Sequence, residues 1–179
     1  ENLTKQSVAE LFKPKNASIV HQIIETDIWE MKNVILVFYE SRYLDEDQRE
    51  RQYIEGNLLI PNQKNQYKKV LISKFEDDNV DTEINSIFFA NADKDKEKEL
   101  IILTKNQHRL QYLYDGTEYS TFVFDNFKKV KTPKEMTLLA DISNELFGGF
   151  DGFLEDNPNS KAKFKTAEQV KKQLKKLGY

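Results

Sequence analysis

Four side chains that can supply oxygen ligands lie close together in the middle of the chain, between two apolar segments. Asn91, Asp93 and Asp95 occupy alternate positions, and Glu99 follows them. Side chains at every second position of an extended or turning loop can point at one centre, and hard cations such as Ca²⁺ bind through several such oxygens. The segment Asn91–Glu99 therefore predicts a calcium site.

The spacing of this loop differs from that of an EF-hand, which has Gly at its sixth position and Glu at its twelfth; here these positions hold Lys96 and Ile102. The loop resembles instead the short calcium loop of FG-GAP/VCBS-type repeats, in which acidic residues at positions one, three, five and nine lie between two strands. The resemblance implies as ligands the side chains of Asn91, Asp93, Asp95 and Glu99 and the main-chain carbonyl of Glu97. The apolar segment Leu100–Leu103 matches the strand that follows the loop in those repeats. One such unit is visible, so a propeller of several blades is not implied.

Lysines alternate with the acids of the same loop. Lys94, Lys96 and Lys98 can neutralise the carboxylates without a metal, and runs of charge are commonly solvated surface. The alternative interpretation is a solvated, charge-alternating loop that joins two strands.

The rest of the chain offers little catalytic chemistry. The sequence contains no cysteine, which removes disulfides, thiolate nucleophiles, zinc–thiolate sites and iron–sulfur clusters. Its two histidines, His21 and His108, are far apart in sequence, and we interpret both as structural or solvated. Acids cluster at 45–47 and 76–78, but such groups become acid–base machinery only where burial separates their pKa values.

A second group of acids, Asp151, Glu155 and Asp156, follows the Gly148-Gly149 pair. Acids in a glycine-rich stretch can hold a cation or line a cleft. We interpret this stretch as a flexible, solvent-exposed loop.

Composition limits the class of protein. With 179 residues, 39% of them hydrophobic and 12% aromatic, the chain predicts a single ordered domain over residues 1–179. No apolar run is long enough to cross a membrane, so we expect no transmembrane segment. The net charge of −3 is uneven, because the last 19 residues hold seven lysines and one glutamate and the remainder is strongly acidic. An acidic body repels a phosphate backbone, so we expect no binding of nucleic acid.

The location of the protein follows from the calcium prediction. A calcium loop works best outside the cytosol, where Ca²⁺ is plentiful, and this favours a periplasmic or secreted protein. The chain begins with Glu1 and not with Met, so we expect that a signal peptide or a tag has been removed.

The pattern of apolar residues predicts the elements of the first half. Residues 3–13 fit a short helix with Val8, Leu11 and Phe12 on one face. Strands are expected at 18–24, 33–39, 52–60 and 67–75. The unbroken apolar run at 33–39 indicates a strand that is covered on both faces.

The central stretch predicts three more strands, which form an antiparallel meander over residues 100–127. Apolar and polar residues alternate on either side of Asp115-Gly116. An Asp-Gly pair favours the type I′ turn of a tight hairpin, because both central residues of that turn need a positive φ. We therefore place the second turn of the meander at Asp115-Gly116.

Two helices are predicted near the C-terminus. Thr132 and Pro133 are typical of a helix start, and an apolar stripe follows as far as Leu146. Thr166 begins the second helix, and Gly178 ends it. Residues 148–163 between the two helices are expected to be loop.

These observations predict an α+β fold with an antiparallel meander sheet of about seven strands, an N-terminal helix and two C-terminal helices. We predict a non-catalytic extracytoplasmic binding or interaction domain with one structural Ca²⁺, whose partner is a protein or a component of the cell envelope. The alternative is a hydrolase with an acidic cleft, in which a metal acts as a Lewis acid.

Overall fold

The computed structural model describes residues 3–63 and 65–179. These residues form two compact units. The first unit comprises the described residues up to Glu76 together with Phe127–Met136, and the second comprises Asp77–Asn126 and Thr137–Tyr179.

The first unit is a four-stranded antiparallel sheet with one helix and a single turn of 3₁₀ helix. Its strands lie in the order β1-β2-β3-β4, so each strand pairs with its neighbour in sequence. The elements are α1 (Lys5–Phe12), β1 (Ser18–Ile28), β2 (Met31–Leu44), β3 (Glu50–Gln63), β4 (Gln66–Glu76) and the 3₁₀ turn Lys129–Lys131.

Helix α1 packs on this sheet through its small residues. The hydroxyl of Thr4 accepts a hydrogen bond from the N–H of Ser7 and so caps the helix. Val8 and Ala9 are fully buried, and the Tyr39 hydroxyl donates to the Ala9 carbonyl at 2.7 Å. Leu11, which we expected on the packed face, is 70% exposed. That expectation was wrong, because the helix turns Ala9 and not Leu11 to the sheet.

The central strand β2 is buried on both faces, as its apolar run predicts. All residues from Val34 to Tyr39 are at most 2% exposed. Ile35, Val37 and Tyr39 share one face with Val8 of the helix. Since side chains alternate across a strand, Val34, Leu36 and Phe38 are buried on the opposite face of the sheet.

The second unit is a five-stranded antiparallel sheet with two helices. Its strands lie in the order β5-β6-β7-β8-β9. The elements are β5 (Thr82–Ala90), β6 (Glu99–Leu110), β7 (Tyr114–Phe124), α2 (Ala140–Glu145), β8 (Gly149–Leu154), β9 (Asn157–Ser160) and α3 (Ala167–Leu177).

Helix α3 covers one face of the second sheet. Thr166 forms a capping box with Gln169, and Gly178 ends the helix at a positive φ of 95°. Val170 and Leu174 pack against Ile101 in a cluster that is almost wholly buried. The predicted bounds and the buried stripe of this helix are therefore confirmed, although Leu177 is 39% exposed.

The predicted fold class is confirmed. The protein is α+β, its strands pair antiparallel, and one helix precedes the strands while two lie in the C-terminal part. The described strands number nine and are divided between two sheets. Among the described residues, no helix is both long and apolar enough to span a membrane.

Residues 100–127 contain two strands and not the three that were predicted, because β6 runs unbroken from Glu99 to Leu110. The turn between β6 and β7 also lies earlier than predicted. The chain reverses at Gln111–Leu113, where Tyr112 has a φ of 67° and the N–H of Leu113 donates to the carbonyl of Leu110. Asp115 and Gly116 belong to β7, so the prediction of a turn there was wrong. Gly116 has another role, since a Cβ at this position would lie 2.4 Å from the carbonyl oxygen of Asp151 on β8. The glycine allows two strands to approach closely.

The first predicted C-terminal helix is much shorter than expected. Its first residues are extended, because the backbone there pairs with strands instead of with itself. In the first unit, the N–H of Met136 donates to the carbonyl of Leu71. In the second unit, the N–H of Leu139 donates to the carbonyl of Val123. The helix itself spans only Ala140–Glu145. The local capping pattern at Thr132 was overridden by tertiary pairing.

Residues 148–163 are not wholly loop, which corrects a further expectation. They contain β8 and β9, and β8 pairs with β7 along its whole length. Strand β8 contains two glycines and Asp151 among its six residues, so a search for alternating apolar residues does not find it.

Candidate metal centre

One end of the second sheet brings together the acidic loop and the end of β7. Ala90, the last residue of β5, pairs with Glu99, the first of β6. Leu100 in turn pairs with Phe124, the last residue of β7. The loop at 91–98 and the residue that follows β7 therefore leave the sheet at the same end.

Four carboxylates converge at this end. One oxygen each from Asp93, Asp95, Glu99 and Asp125 lies within 4.8 Å of the others. Two atoms that are each about 2.4 Å from the same Ca²⁺ are at most about 4.8 Å apart, so the spread of these oxygens fits one shared ion.

Three of these residues belong to the predicted loop, and sequence reasoning missed Asp125. The meander topology could have indicated it. In three consecutive antiparallel strands, the end of the third lies beside the loop that joins the first two. Asp125 is the first polar residue after the apolar end of β7.

Two other predicted ligands have different surroundings. Asn91 follows β5 and lines a surface cavity together with Lys98 and Tyr179. The N–H of Glu97 donates a hydrogen bond within the loop to Oδ1 of Asp95 at 2.7 Å. Ligation of a metal by the Asn91 side chain and by the Glu97 carbonyl stays a prediction.

The loop is shaped by its own acids. The N–H of Asp95 donates to Oδ1 of Asp93 at 2.8 Å, two residues back, as Glu97 does to Asp95. Asn126 adds a bond from the end of β7, because its Nδ2 donates to Oδ2 of Asp95 at 2.9 Å. These bonds fix the direction in which the carboxylates point.

Glu99 is the most deeply buried member of the cluster, with 0% of its surface exposed. Its Oε2 accepts the N–H of Ala92 at 2.5 Å, and its Oε1 accepts Nδ2 of Asn126 at 3.3 Å. Burial raises the pKa of Glu99 above its usual range, the two hydrogen bonds lower it, and the charges of Asp93 and Asp95 raise it. The net direction is upward.

The pKa of Asp125 is raised for the same reasons. Burial is the largest cause, the charge of Asp93 adds to it, the N–H of Asn126 opposes it, and Asp95 adds a smaller rise. Two carboxylates of the cluster are therefore disfavoured in their charged form. A bound cation would reverse this effect.

A cavity of about 590 Å³ adjoins the cluster within the second unit. It is lined by Ala92, Asp93, Leu138–Ile142, Glu145, Leu177 and Tyr179. Its volume lies in the range of small-ligand sites, and most of its lining is aliphatic.

The second predicted group of acids is not a metal centre of this kind. Asp151 lies on β8, where Nζ of Lys165 donates to its Oδ2 at 3.0 Å and Nζ of Lys161 is 3.9 Å from its Oδ1. The bond from Lys165 holds the pKa of Asp151 below its usual value. Lysines already neutralise this carboxylate.

No protein-family model matches the chain, and no similar curated protein or solved structure was found. The resemblance of Asn91–Glu99 to FG-GAP/VCBS-type loops therefore rests on those residues alone and stays a prediction.

Proposed function

We propose that this protein is a non-catalytic, extracytoplasmic binding module whose second unit is stabilised by one Ca²⁺ at Asp93, Asp95, Glu99 and Asp125. The observation that carries the proposal is the convergence of four carboxylates around Glu99, which is wholly buried. A buried carboxylate beside other carboxylates is costly unless a cation compensates the charge.

The chemistry of the donors favours Ca²⁺ over other ions. All four side chains offer carboxylate oxygen, which suits hard cations, whereas zinc and copper sites commonly include nitrogen or sulfur. Mg²⁺ needs a small and regular octahedron, while Ca²⁺ accepts six to eight oxygens in a flexible arrangement. Main-chain carbonyls and water would supply the remaining ligands.

The role of the ion would be structural. Its ligands come from a loop, from the start of β6 and from the residue after β7, so one ion would join three separate stretches of chain. Binding of an ion that only the folded chain can hold adds directly to the free energy of unfolding.

The binding surface of the module is proposed to be the cavity beside Asp93. Its aliphatic lining suits an apolar group of a protein or of a cell-envelope component, and a bound Ca²⁺ would fix the wall to which Asp93 belongs. A location outside the cytosol fits this proposal because Ca²⁺ is abundant there.

The experiment is a titration of the melting temperature with Ca²⁺ after treatment with a chelator. At a hundredfold excess over Kd the ion adds about 2.7 kcal/mol, which corresponds to a rise of roughly 5–10 °C for a chain of this size. Mg²⁺ should raise the melting temperature less than Ca²⁺ does. The double variant Asp93→Asn/Asp95→Asn should lose the response and keep its fold by circular dichroism.

A matched control is the double variant Asp141→Asn/Glu145→Gln. Both residues are exposed and line the same cavity, but they lie outside the cluster. This control should keep the full response to Ca²⁺. A melting temperature that does not change up to millimolar Ca²⁺ would reject the site.

One observation favours the alternative function, a metal-assisted hydrolase. Asp93 belongs both to the cluster and to the cavity wall, so a bound ion could polarise a ligand held there. Hydrolysis of ester, glycoside or phosphoester probes that depends on Ca²⁺ and is lost in Asp93→Asn would support this alternative. A stabilising effect of Ca²⁺ without turnover supports the module.

A further inference from the structure

His108 lies near the end of β6 with an unusual environment for its ring. The side chain is 16% exposed, and its Nε2 atom is fully buried. Within the part of the chain that the structure describes, this nitrogen has no hydrogen-bond partner. Buried polar atoms are almost always paired, so an unpaired imidazole nitrogen suggests that it serves a ligand.

Two carboxylates lie near this imidazole. Oδ2 of Asp77 is 3.7 Å from Nε2, which is too long for a hydrogen bond. Glu118 lies on β7, two residues beyond Gly116, which is the partner of His108 across the strands. The two side chains therefore share one face of the sheet. One ligand atom from each of Asp77, His108 and Glu118 lies within 4.8 Å of the others.

The group is held in place by its surroundings. Oδ1 of Asp77 accepts the N–H groups of Asn79 at 2.8 Å and of Val80 at 3.2 Å, which fixes the carboxylate and leaves Oδ2 toward the histidine. The imidazole packs against the rings of Tyr114 and Phe150, with centroids 6.2 and 6.3 Å away. Groups that orient a ligand in this way are typical of metal sites.

We propose that Asp77, His108 and Glu118 form a binding site for a transition-metal ion of the Zn²⁺ class. One imidazole and two carboxylates are ligands that Zn²⁺ takes, and water would fill the fourth position. Two ligands of a tetrahedral Zn²⁺ lie about 3.3–3.6 Å apart, so the 3.7 Å between Nε2 and Oδ2 needs only a slight contraction.

This site is separate from the carboxylate cluster. Glu99 begins β6 and His108 lies near its other end, which places them about 30 Å apart along the strand. The donor sets also differ: an imidazole nitrogen favours borderline metals, whereas four carboxylates favour hard cations. The proposal does not depend on the calcium site.

The test is a titration of the full chain with Zn²⁺ in the presence of saturating Ca²⁺, followed by calorimetry and by imidazole NMR. We expect one Zn²⁺ per chain, bound with micromolar or tighter affinity. The sequence has two histidines, so each imidazole can be followed separately. Zn²⁺ should shift the His108 resonances and leave those of His21 unchanged.

The variants His108→Gln, Asp77→Asn and Glu118→Gln should each weaken Zn²⁺ binding at least tenfold. The matched control is His21→Asn, because His21 is exposed and its φ of 69° suits Asn. Repeating the titration in Asp93→Asn/Asp95→Asn removes two of the four carboxylates of the other cluster and should leave the affinity for Zn²⁺ unchanged.

Zn²⁺ binding that survives His108→Gln, or no binding up to millimolar Zn²⁺, would overturn the proposal. So would an NMR titration of the unaltered chain in which Zn²⁺ leaves the His108 ring unperturbed. The NMR measurement uses the unaltered chain, so it decides the matter even if a variant fails to fold.

Discussion

Glu99 is the member of the acidic cluster whose charge is most affected by its surroundings. Its carboxylate is buried and accepts one hydrogen bond from a main-chain N–H and one from a side-chain amide. The charges of neighbouring carboxylates disfavour its ionised form. A glutamate in this position has two ways to lower its free energy, which are to take up a proton or to share a cation. With the proposed Ca²⁺ site, competition between proton and cation would make the stability of the protein depend on pH.

Without Ca²⁺, the cluster should make the protein less stable as the pH rises. The pKa values of Glu99 and Asp125 are raised in the folded state, so the folded chain binds their protons more tightly than the unfolded chain does. Their contribution to stability is therefore fully present in acid and is lost as the pH rises through the folded-state pKa values.

The variant Glu99→Gln isolates this effect. In the absence of Ca²⁺, its melting temperature should rise relative to that of the unaltered protein as the pH increases from 4 to 8. With saturating Ca²⁺ the order should reverse at neutral pH, because the variant lacks a charged ligand. Parallel melting curves with and without Ca²⁺ would contradict both statements.

Strand β7 shows how one element takes its place through its neighbours. It pairs with β6 on one side and with β8 on the other. Gly116 on β7 lies opposite Gly152 on β8, and a Cβ on Gly116 would lie 2.9 Å from the Cα of Gly152. The close approach of the two backbones requires glycine at this point.

Gly116→Ala should lower the free energy of unfolding. The new Cβ would lie 2.4 Å from the Asp151 carbonyl oxygen, so the strands would have to separate. Overpacking of this kind costs about 1–3 kcal/mol, which urea unfolding would measure. Ser120→Ala on the same strand is the control and should change stability by less than about 0.5 kcal/mol. A neutral Gly116→Ala would show that β7 and β8 can move apart freely.

Helix α3 offers a matched pair of leucines. Leu174 is 2% exposed and belongs to the core of the second unit, whereas Leu177 is 39% exposed at the end of the helix. Leu174→Ala should cost about 2–5 kcal/mol of unfolding free energy. Leu177→Ala should cost clearly less. Equal losses in chemical denaturation would mean that the helix does not cover the sheet as described.

At the scale of the whole molecule, each unit is assembled from separate stretches of chain. Phe127–Met136 belongs to the first unit although both of its neighbours in sequence belong to the second. In the first unit, Phe127 contacts the ring of Trp29 at 5.1 Å, and Met136 is hydrogen-bonded to Leu71. Both ends of the segment Phe127–Met136 continue into the second unit, so we expect the unfolding of one unit to destabilise the other.

The full chain should therefore unfold in one cooperative transition. In calorimetry, the measured enthalpy should equal the van't Hoff enthalpy. Added Ca²⁺ should move this single transition upward as a whole. Two resolved transitions, of which Ca²⁺ moves only one, would contradict the prediction of a single domain over residues 1–179 and would define the two units as independent.

The sequence by itself determined those features that depend on short-range patterns. Examples are the apolar run in β2, the capping box at Thr166 and the alternate acids Asp93 and Asp95. Each of these patterns involves residues that are only a few positions apart in the sequence. Periodicity and capping act over such distances, so the strands before Glu76, the last helix and three members of the acidic cluster could be predicted.

The tertiary structure alone decided the features that depend on residues far apart in sequence. Asp125 joins Glu99, and Glu118 and Asp77 join His108, because strand pairing brings them together. The extended segment before α2 forms because strands offer hydrogen bonds that replace those of a helix, and Gly116 faces β8 instead of forming a turn. Local propensities differ by less than about 1 kcal/mol per residue, so pairing with distant backbone overrides them.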